Sequence, residues 1–337
     1  MTVKERSSNF ELLRIILICF IVTYHFFVIV YVHETSESDS LLKAIWLPLH
    51  IAVICFVLIS GYFHIRPSLK GGLKLLLPVI IYYSLPCIIA NLCGLKGMDG
   101  NLLSYLLFFS KSPYWFIRTY FYLFLLSPIL NKWLDCSSIK GKAYFLIVLF
   151  FIGVYEALMG DLSVSNGKNV ILFMFLYVLG DFLREKQSLL ERIPISILSV
   201  LWIVFNILLV FGWMQFKDNA LGNILWRLSF PYSSPILIIN AVWLFVIFSK
   251  VKLQSSIVNY FARSVFAVYI LTESDLIKPL LLQPSLKDIY EVSTNSYLLV
   301  LGVVLFAIAV TFICFFIDKI FQPLFHLILQ KVENITI

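Results

Sequence analysis

Residues 297–317 read YLLVLGVVLFAIAVTFICFFI, a stretch that contains no charged side chain. A helix of about 20 apolar residues is long enough to cross a hydrocarbon core of about 30 Å, so this segment alone can span a membrane. The whole chain has the same character: 61% of its 337 residues are hydrophobic, 13% are charged, and the mean hydropathy is +0.94. Soluble domains carry about 25% charged residues. This composition therefore excludes a soluble globular enzyme, and it also excludes a disordered chain, which needs low hydrophobicity.

The apolar runs are continuous, whereas the strands of a membrane barrel alternate in polarity. Because backbone groups in lipid must be paired internally, continuous runs of this length are expected to be helices. The sequence therefore predicts an all-α, polytopic membrane protein. At about 20 residues per crossing, the chain accommodates about ten transmembrane helices in one domain over 1–337, with 318–337 as a cytoplasmic tail. The predicted spans are residues 10–32, 44–64, 75–95, 113–131, 143–159, 169–184, 194–213, 229–249, 264–282 and 295–317.

The net charge of +7 is explained by the positions of the basic residues. Most of the 26 Lys and Arg residues lie in the segments that share a side with the amino terminus, and such an excess marks the cytoplasmic side. Both termini are therefore predicted to be cytoplasmic, and no nucleic-acid partner is expected. The six cysteines form no C-x-x-C pair, so neither a disulfide framework nor a metal site is predicted.

The first span carries ionisable residues at spacings that place them on one face. It reads NFELLRIILICFIVTYHFF over residues 9–27. Arg14 and His25 are separated by about three turns plus 20°, and by a rise of about 16 Å, so they share a face. Glu11 lies on the same side. His25 is predicted near the membrane centre, where an ionisable group costs about 2.5–3.5 kcal/mol and usually has a function. The alternative is a Glu11–Arg14 interfacial ion pair with His25 in helix packing.

An Arg followed after ten residues by a His, in a first span that opens with ELLR, resembles the bacterial acyltransferase-3 family. These integral membrane proteins O-acylate extracytoplasmic glycans. The resemblance extends over about residues 9–275. Further segments similar to the family's are FVLISGYF (56–63), YWFIRTYFYLFLLSPIL (114–130), FLYVLGDFLR (175–184), the stretch from Ser234-Pro235 to Phe248, and FAVYILT (266–272).

The chain departs from the family where the last of these segments usually ends in His. Here Thr272 stands at that position and Glu273 follows it. If the family's late His orients a substrate or relays a proton, that role is altered in this chain. Glu273 can supply an acidic group in its place.

The resemblance implies a membrane O-acyltransferase in the bacterial inner membrane. It would move an acyl group, expected to be acetyl, from cytoplasmic acyl-CoA to a hydroxyl of an extracytoplasmic or lipid-linked glycan. His25 would be the general base or carry the acyl group itself. The expected catalytic residues are His25, Arg14 and Glu11. The residues expected to bind acetyl-CoA are Arg14, Arg66, Lys70, Lys74 and Ser60. The residues expected to contact the acceptor are Trp115, Tyr114 and Glu273.

Each of these assignments has a simpler alternative. The basic residues at 66, 70 and 74 can be topology signals or contacts to anionic lipid. Ser60-Gly61 can serve close helix packing, and Tyr114 and Trp115 can belong to an aromatic belt at the membrane interface. The remaining histidines are expected to be structural: His33, His50, His64 and His326.

Two other functions are compatible with the composition. One is a non-catalytic carrier that moves a lipid-linked sugar or similar amphiphile across the bilayer. Inverted repeats, which would favour such a carrier, are not evident in the sequence. The other is a non-catalytic sensor or assembly partner descended from the enzyme, for which Thr272 is the one supporting feature. The sequence makes no prediction about the oligomeric state.

Overall fold

A computed structural model describes residues 7–31, 38–95, 102–107, 114–155, 166–190 and 192–335. Some predicted features lie outside these ranges. They are His33 and the ends of three predicted spans, at residues 32, 113 and 156–159.

The described residues form helices and no β-strand, which confirms the all-α class. The helices are α1 (Ser8–Tyr31), α2 (Ser38–Leu49), α3 (Ala52–Phe63), α4 (Leu69–Val79), α5 (Leu85–Leu92), α6 (Leu102–Leu106), α7 (Trp115–Cys136), α8 (Ile139–Phe150), α9 (Val170–Glu185), α10 (Gln187–Leu190), α11 (Ile195–Phe216), α12 (Ala220–Ser229), α13 (Pro235–Lys250), α14 (Ser256–Ala262), α15 (Val265–Thr272), α16 (Gln283–Val292) and α17 (Ser296–Ile335). Short π-helical turns occupy Ile80–Ser84, Phe151–Tyr155 and Lys278–Leu282.

The membrane character predicted from composition is confirmed by the lengths of the helices. Five helical stretches are long and apolar enough to cross a bilayer: Ser8–Tyr31, Leu41–Phe63, Leu69–Leu92, Ile195–Phe216 and Ser296–Lys331. The other predicted spans correspond to shorter or less apolar helices. The count of ten crossings and the cytoplasmic termini therefore stay predictions. The last helix, α17, continues past the predicted end of its span at residue 317 and runs through most of the predicted tail.

Helix α1 lies in the middle of the bundle and joins its two main apolar clusters. Its amino-terminal half contributes Leu13 and Leu17 to a cluster with α3, α9 and α13. Its carboxy-terminal half contributes Val22 and Phe27 to a second cluster with α2, α15 and α17. All four side chains are fully buried. Packing on several sides fixes the rotation of α1, and that rotation orients the face that carries Arg14 and His25.

Helices α3 and α9 approach each other closely at two glycines, Gly61 and Gly180. A Cβ added at Gly61 would lie 2.0 Å from the carbonyl oxygen of Tyr177, and one added at Gly180 would lie 2.3 Å from that of Leu58. Backbone atoms cannot move aside as a flexible side chain can. The packing role that the sequence allowed for Ser60-Gly61 is therefore present at the glycine.

We expect Gly61→Ala to destabilise the protein by about 1–3 kcal/mol, the usual cost of overpacking. Gly212→Ala is the matched control, because Gly212 is also helical and a Cβ there meets nothing within 4 Å. The check is the melting temperature of the two purified variants in the same detergent. Equal melting temperatures would contradict the packing role of Gly61.

The FLYVLGDFLR segment also carries a charged cluster away from the centre of the bundle. Asp181 is fully buried and accepts contacts from His64 Nε2 at 2.8 Å and from Lys142 Nζ at 2.7 Å. Arg184 pairs with the same carboxylate. These partners compensate a buried carboxylate that would otherwise be costly. His64 is therefore held in a structural network, as expected from the sequence.

The predicted span over 264–282 is not one continuous helix. Helix α15 ends at Thr272, and helical structure resumes in the π-helical turn Lys278–Leu282. The backbone N–H groups of Glu273 and Ser274 still donate to the carbonyls of Tyr269 and Leu271. Irregular backbone at membrane depth is tolerated where it lines a cavity or is buried in protein. Glu273, at this end of α15, is one of the residues that line the site described next.

Candidate active site

Two adjoining chambers lie beside α1. The first, called here the Arg14 chamber, has a volume of about 240 Å³ and is lined at one end by Arg14, Ser60, Tyr120 and Arg263. The second, called the Lys168 chamber, has a volume of about 330 Å³ and is lined by residues that include Val28, Asn166, Lys168, Pro231 and Glu273. Five residues line both chambers: Tyr24, His25, His50, Trp115 and Tyr232.

His25 therefore stands at the boundary between the two chambers. Arg14 and His25 both line the Arg14 chamber, in agreement with the shared face that their spacing predicts. His25 keeps 23% of its side-chain surface accessible. A molecule in either chamber can consequently reach the same imidazole.

The imidazole of His25 contacts the carboxylate of Glu273 through Nδ1. His25 Nδ1 lies 2.7 Å from Glu273 Oε1 in a close polar contact, and among the described residues these two buried atoms have no hydrogen-bond partner. The other carboxylate oxygen, Oε2, accepts a hydrogen bond of 2.9 Å from Lys278 Nζ. Lys278 compensates the charge that Glu273 brings into the bundle. Because Nδ1 faces the carboxylate, Nε2 is the ring nitrogen available to a substrate.

The far end of the Arg14 chamber is basic and polar. Arg14 Nη1 donates a 2.8 Å hydrogen bond to Glu11 Oε1, which is one turn away on α1. Ser60 Oγ donates to the carbonyl of Phe56 and lies 3.0 Å from the hydroxyl of Tyr120. Arg263, which follows α14, adds a second guanidinium to the lining. Two guanidinium groups in the lining of one chamber suit phosphate or amide oxygens.

The Lys168 chamber is positioned by a turn before α9. Asn166 and Gly167 have φ values of 53° and 84°, and the backbone N–H of Tyr232 donates a 3.1 Å hydrogen bond to the carbonyl of Asn166. A Cβ on Gly167 would lie 2.6 Å from the backbone nitrogen of Ser233, so glycine is required there. The turn holds Lys168 Nζ 5.5 Å from the ring centroid of Trp115. Burial lowers the pKa of the Lys168 ammonium from its usual value.

An aromatic wall connects the two chambers. The rings of Trp115 and Tyr232 are 5.0 Å apart, and His50 stacks on Tyr232 at 4.3 Å and on Phe230 at 4.4 Å. Phe230 and Tyr232 come just before α13 in the chain. That helix begins with Ser234 as its N-cap, whose Oγ accepts from the N–H of Leu237, and with a proline at its first position. The Ser-Pro segment noted in the sequence thus starts the helix that fixes this wall.

The structure brings together several of the residues predicted from the sequence and separates others. His25, Arg14, Ser60, Trp115 and Glu273 all line a chamber. Glu11 reaches the site through Arg14. Three of the predicted donor-binding residues line neither chamber: Arg66, Lys70 and Lys74.

Tyr114 and Thr272 point into the protein rather than into a chamber. Tyr114 is fully buried, and its hydroxyl donates to the carbonyl of Ile270 at 3.2 Å. Thr272 Oγ1 donates to the carbonyl of Val268 within its own helix. The side chain that faces His25 from this segment is Glu273.

The chambers are also lined by residues that were not assigned to the site from sequence, among them His50, Lys168, Tyr232 and Arg263. His50 was expected to be structural because no partner was evident. Its position just before the FVLISGYF segment is the one signal that could have singled it out. Arg263 and Lys168 were counted only as loop charges.

The described residues were also compared with the arrangement that a metal site needs. No group of three His, Cys, Asp or Glu side chains is arranged to hold a metal ion there. All six cysteines are free.

Comparison with known proteins identifies the family of this chain. A family model described as an acyltransferase domain, of the acyltransferase-3 type, matches residues 7–319. No curated protein and no solved structure gives a significant match. The matched region contains α1, both chambers and the interruption at Glu273. Because the match extends over nearly the whole chain, the chain belongs to the acyltransferase-3 family and is a membrane acyltransferase.

Proposed function

We propose that this protein transfers an acyl group, acetyl being expected, from cytoplasmic acyl-CoA to a hydroxyl of an extracytoplasmic or lipid-linked glycan in the bacterial inner membrane. The proposal rests on one observation: His25 lines both chambers, and its Nδ1 contacts the carboxylate of Glu273. An enzyme that joins two substrates needs such a shared reactive group. Acetyl-CoA is a co-substrate, and no metal is required.

The Arg14 chamber is the proposed donor site. Its volume is about 240 Å³, and its lining combines apolar side chains such as Ile18 and Phe56 with the guanidinium groups of Arg14 and Arg263. The acyl-pantetheine arm would enter toward His25, and Arg14 and Arg263 would bind phosphate or amide oxygens at the other end. With the predicted orientation, that end faces the cytoplasm. The basic residues at 66, 70 and 74 would then contact the nucleotide outside the chamber.

The Lys168 chamber is the proposed acceptor site. It combines an indole, a phenol, an amide and an ammonium group. Aromatic faces beside a few polar groups are typical of small-molecule sites, whose volumes begin at about 300 Å³. Trp115 would stack on the sugar ring, in keeping with its predicted role.

The chemistry at His25 balances without a further reactant. The acceptor hydroxyl oxygen attacks the thioester carbonyl, a C–O bond forms, and the C–S bond breaks. His25 Nε2 takes the hydroxyl proton and returns it to the leaving thiolate, so the products are an ester and CoA thiol. Glu273 orients the ring through Nδ1 and stabilises the imidazolium that forms. If the acyl group passes first to Nε2, the same carboxylate stabilises the acyl-imidazole stage.

The test uses the purified protein in nanodiscs, supplied with labelled acetyl-CoA and a glycan fraction from the host envelope. We expect label in the glycan. Donor binding with no transfer to any glycan fraction would favour a non-catalytic descendant. Well-folded protein that neither binds acetyl-CoA nor transfers acetyl would favour the carrier of a lipid-linked sugar.

We expect Arg263→Ala to raise the KM for acetyl-CoA about 10-fold with little change in kcat, because it removes a binding contact made before the chemical step. Arg263 is exposed at the edge of its chamber, so the loss should not disturb packing. Arg192→Ala is the control, since Arg192 is exposed and lines neither chamber. Steady-state kinetics with varied acetyl-CoA provide the check. Equal KM values for the two variants would remove Arg263 from the donor site.

A further inference from the structure

His50 occupies a place in the site that the transfer chemistry described above does not use. It lies between α2 and α3 and is only 6% exposed, yet it lines both chambers. Its ring is stacked between Phe230 and Tyr232 and contacts Tyr24 at 4.7 Å. Such packing on three sides fixes the plane of the imidazole.

The protonation of the His50 ring follows from its one hydrogen bond. Nδ1 lies 2.7 Å from the backbone carbonyl oxygen of Phe230. A carbonyl oxygen only accepts hydrogen bonds, so Nδ1 carries the hydrogen. In the neutral ring Nε2 then has a free lone pair and is an acceptor. Among the described residues, Nε2 has no hydrogen-bond partner.

The surroundings of Nε2 define what it can bind. The groups around His50 in the Lys168 chamber are the ammonium of Lys168, the phenols of Tyr24 and Tyr232, the amide of Asn166, and the His25–Glu273 pair. A lone pair of this kind selects a neutral donor such as a hydroxyl. The adjacent reactive group is His25, so a hydroxyl bound at His50 would lie on the side of His25 that faces the Lys168 chamber.

We propose that His50 binds the acceptor: its Nε2 accepts a hydrogen bond from a hydroxyl of the glycan and orients that sugar toward His25. This inference rests on the proposed function, since it assigns a further acceptor-binding residue to the same site. It makes the acceptor a polyhydroxylated ring that stacks on Trp115 and presents a hydroxyl donor to His50.

Two substitutions separate this role from a structural one. In His50→Asn, the side-chain amide reaches about as far as Nδ1, so it keeps the donor to the Phe230 carbonyl and loses the acceptor at Nε2. In His50→Gln, the longer amide reaches about as far as Nε2, so it restores an acceptor oxygen there and loses the inner hydrogen bond. A structural role predicts that Asn is the better substitute, whereas acceptor binding predicts that Gln is.

The experiment measures two reactions of each variant in nanodiscs: transfer of labelled acetyl to the envelope-glycan fraction, and hydrolysis of acetyl-CoA without glycan. We expect His50→Asn to lower kcat/KM for the glycan about 10-fold, the loss of one neutral hydrogen bond, and to lower acetyl-CoA hydrolysis by a clearly smaller factor. His50→Gln should retain several-fold more transfer than His50→Asn.

The proposal is overturned if His50→Asn transfers as well as wild type, or better than His50→Gln. It is also overturned if both variants lose hydrolysis and transfer in equal proportion, because that result indicates damage to the whole site. Failure of the wild-type protein to acylate any glycan would instead overturn the proposed function. The two failures are therefore distinguishable.

Discussion

His25→Ala will lower acetyl transfer by about 10²–10⁴-fold, the usual contribution of a general acid–base group. The size of the effect follows from the position of His25, whose imidazole lines both chambers. Removing the imidazole takes away the group that accepts the hydroxyl proton, or the nitrogen that carries the acyl group. Binding of acetyl-CoA should persist, because Arg14 and Arg263 stay in place. Isotope incorporation and donor binding are measured on the same preparation.

The matched control for this variant is His326→Ala. His326 is exposed on α17 and lines neither chamber, so its removal should leave transfer unchanged. If His25→Ala keeps full activity, or if both histidine variants lose it equally, His25 is not the chemical centre.

Glu273→Gln will lower transfer by about 10²-fold or more while changing neither the size nor the shape of the side chain. The carboxylate at 2.7 Å from Nδ1 fixes the tautomer in which Nε2 is free to accept a proton. It also stabilises the positive charge that develops on the imidazole. An amide can present its NH₂ group to Nδ1 and so favour the wrong tautomer. Replacement of the orienting carboxylate in a hydrolase triad costs about 10⁴-fold for this reason.

Glu291→Gln is the control for the Glu273 variant. Glu291 makes an exposed pair with Lys287, with both side chains more than half accessible, and such a pair contributes little. The kinetic signature expected for Glu273→Gln is a fall in kcat with a nearly unchanged KM for acetyl-CoA. A change in KM alone would assign Glu273 to substrate binding, the role predicted from sequence, and would contradict its action through His25.

The shared face of Arg14 and His25 on α1 could be predicted from the sequence because a helix has a fixed period. Arg14 and His25 share a face at a spacing of eleven residues, and polar groups in apolar surroundings stand out by their cost. The class of the fold was accessible for the same reason, since long apolar runs in lipid have few solutions.

The contact between His25 and Glu273 could not be predicted from a helical period. Glu273 comes from a segment 248 positions later, and no local rule predicts that α15 ends at Thr272 in the middle of a predicted span. Glu273 itself still follows the helical period, since its N–H donates to the carbonyl of Tyr269. What the sequence lacks is the packing that brings this end of α15 against α1, so that Glu273 Oε1 lies 2.7 Å from His25 Nδ1.

The chamber walls illustrate a second limit. His50 is held beside Tyr232 by the contact of its Nδ1 with the carbonyl of Phe230. Tyr232 is in turn held to the Asn166–Gly167 turn by a backbone hydrogen bond to Asn166. Each residue has an ordinary structural explanation within its own segment. Only their juxtaposition in space shows that they surround the same imidazole.

The central claim is that acyl transfer joins two sides of the membrane at His25. Its most direct test uses proteoliposomes with labelled acetyl-CoA supplied only outside and the envelope-glycan fraction enclosed only inside. We predict labelled glycan inside wild-type vesicles and none above background in vesicles that carry His25→Ala. Label that appears inside at equal rates with both proteins, or that reaches glycan only when donor and acceptor share one side, would contradict the account.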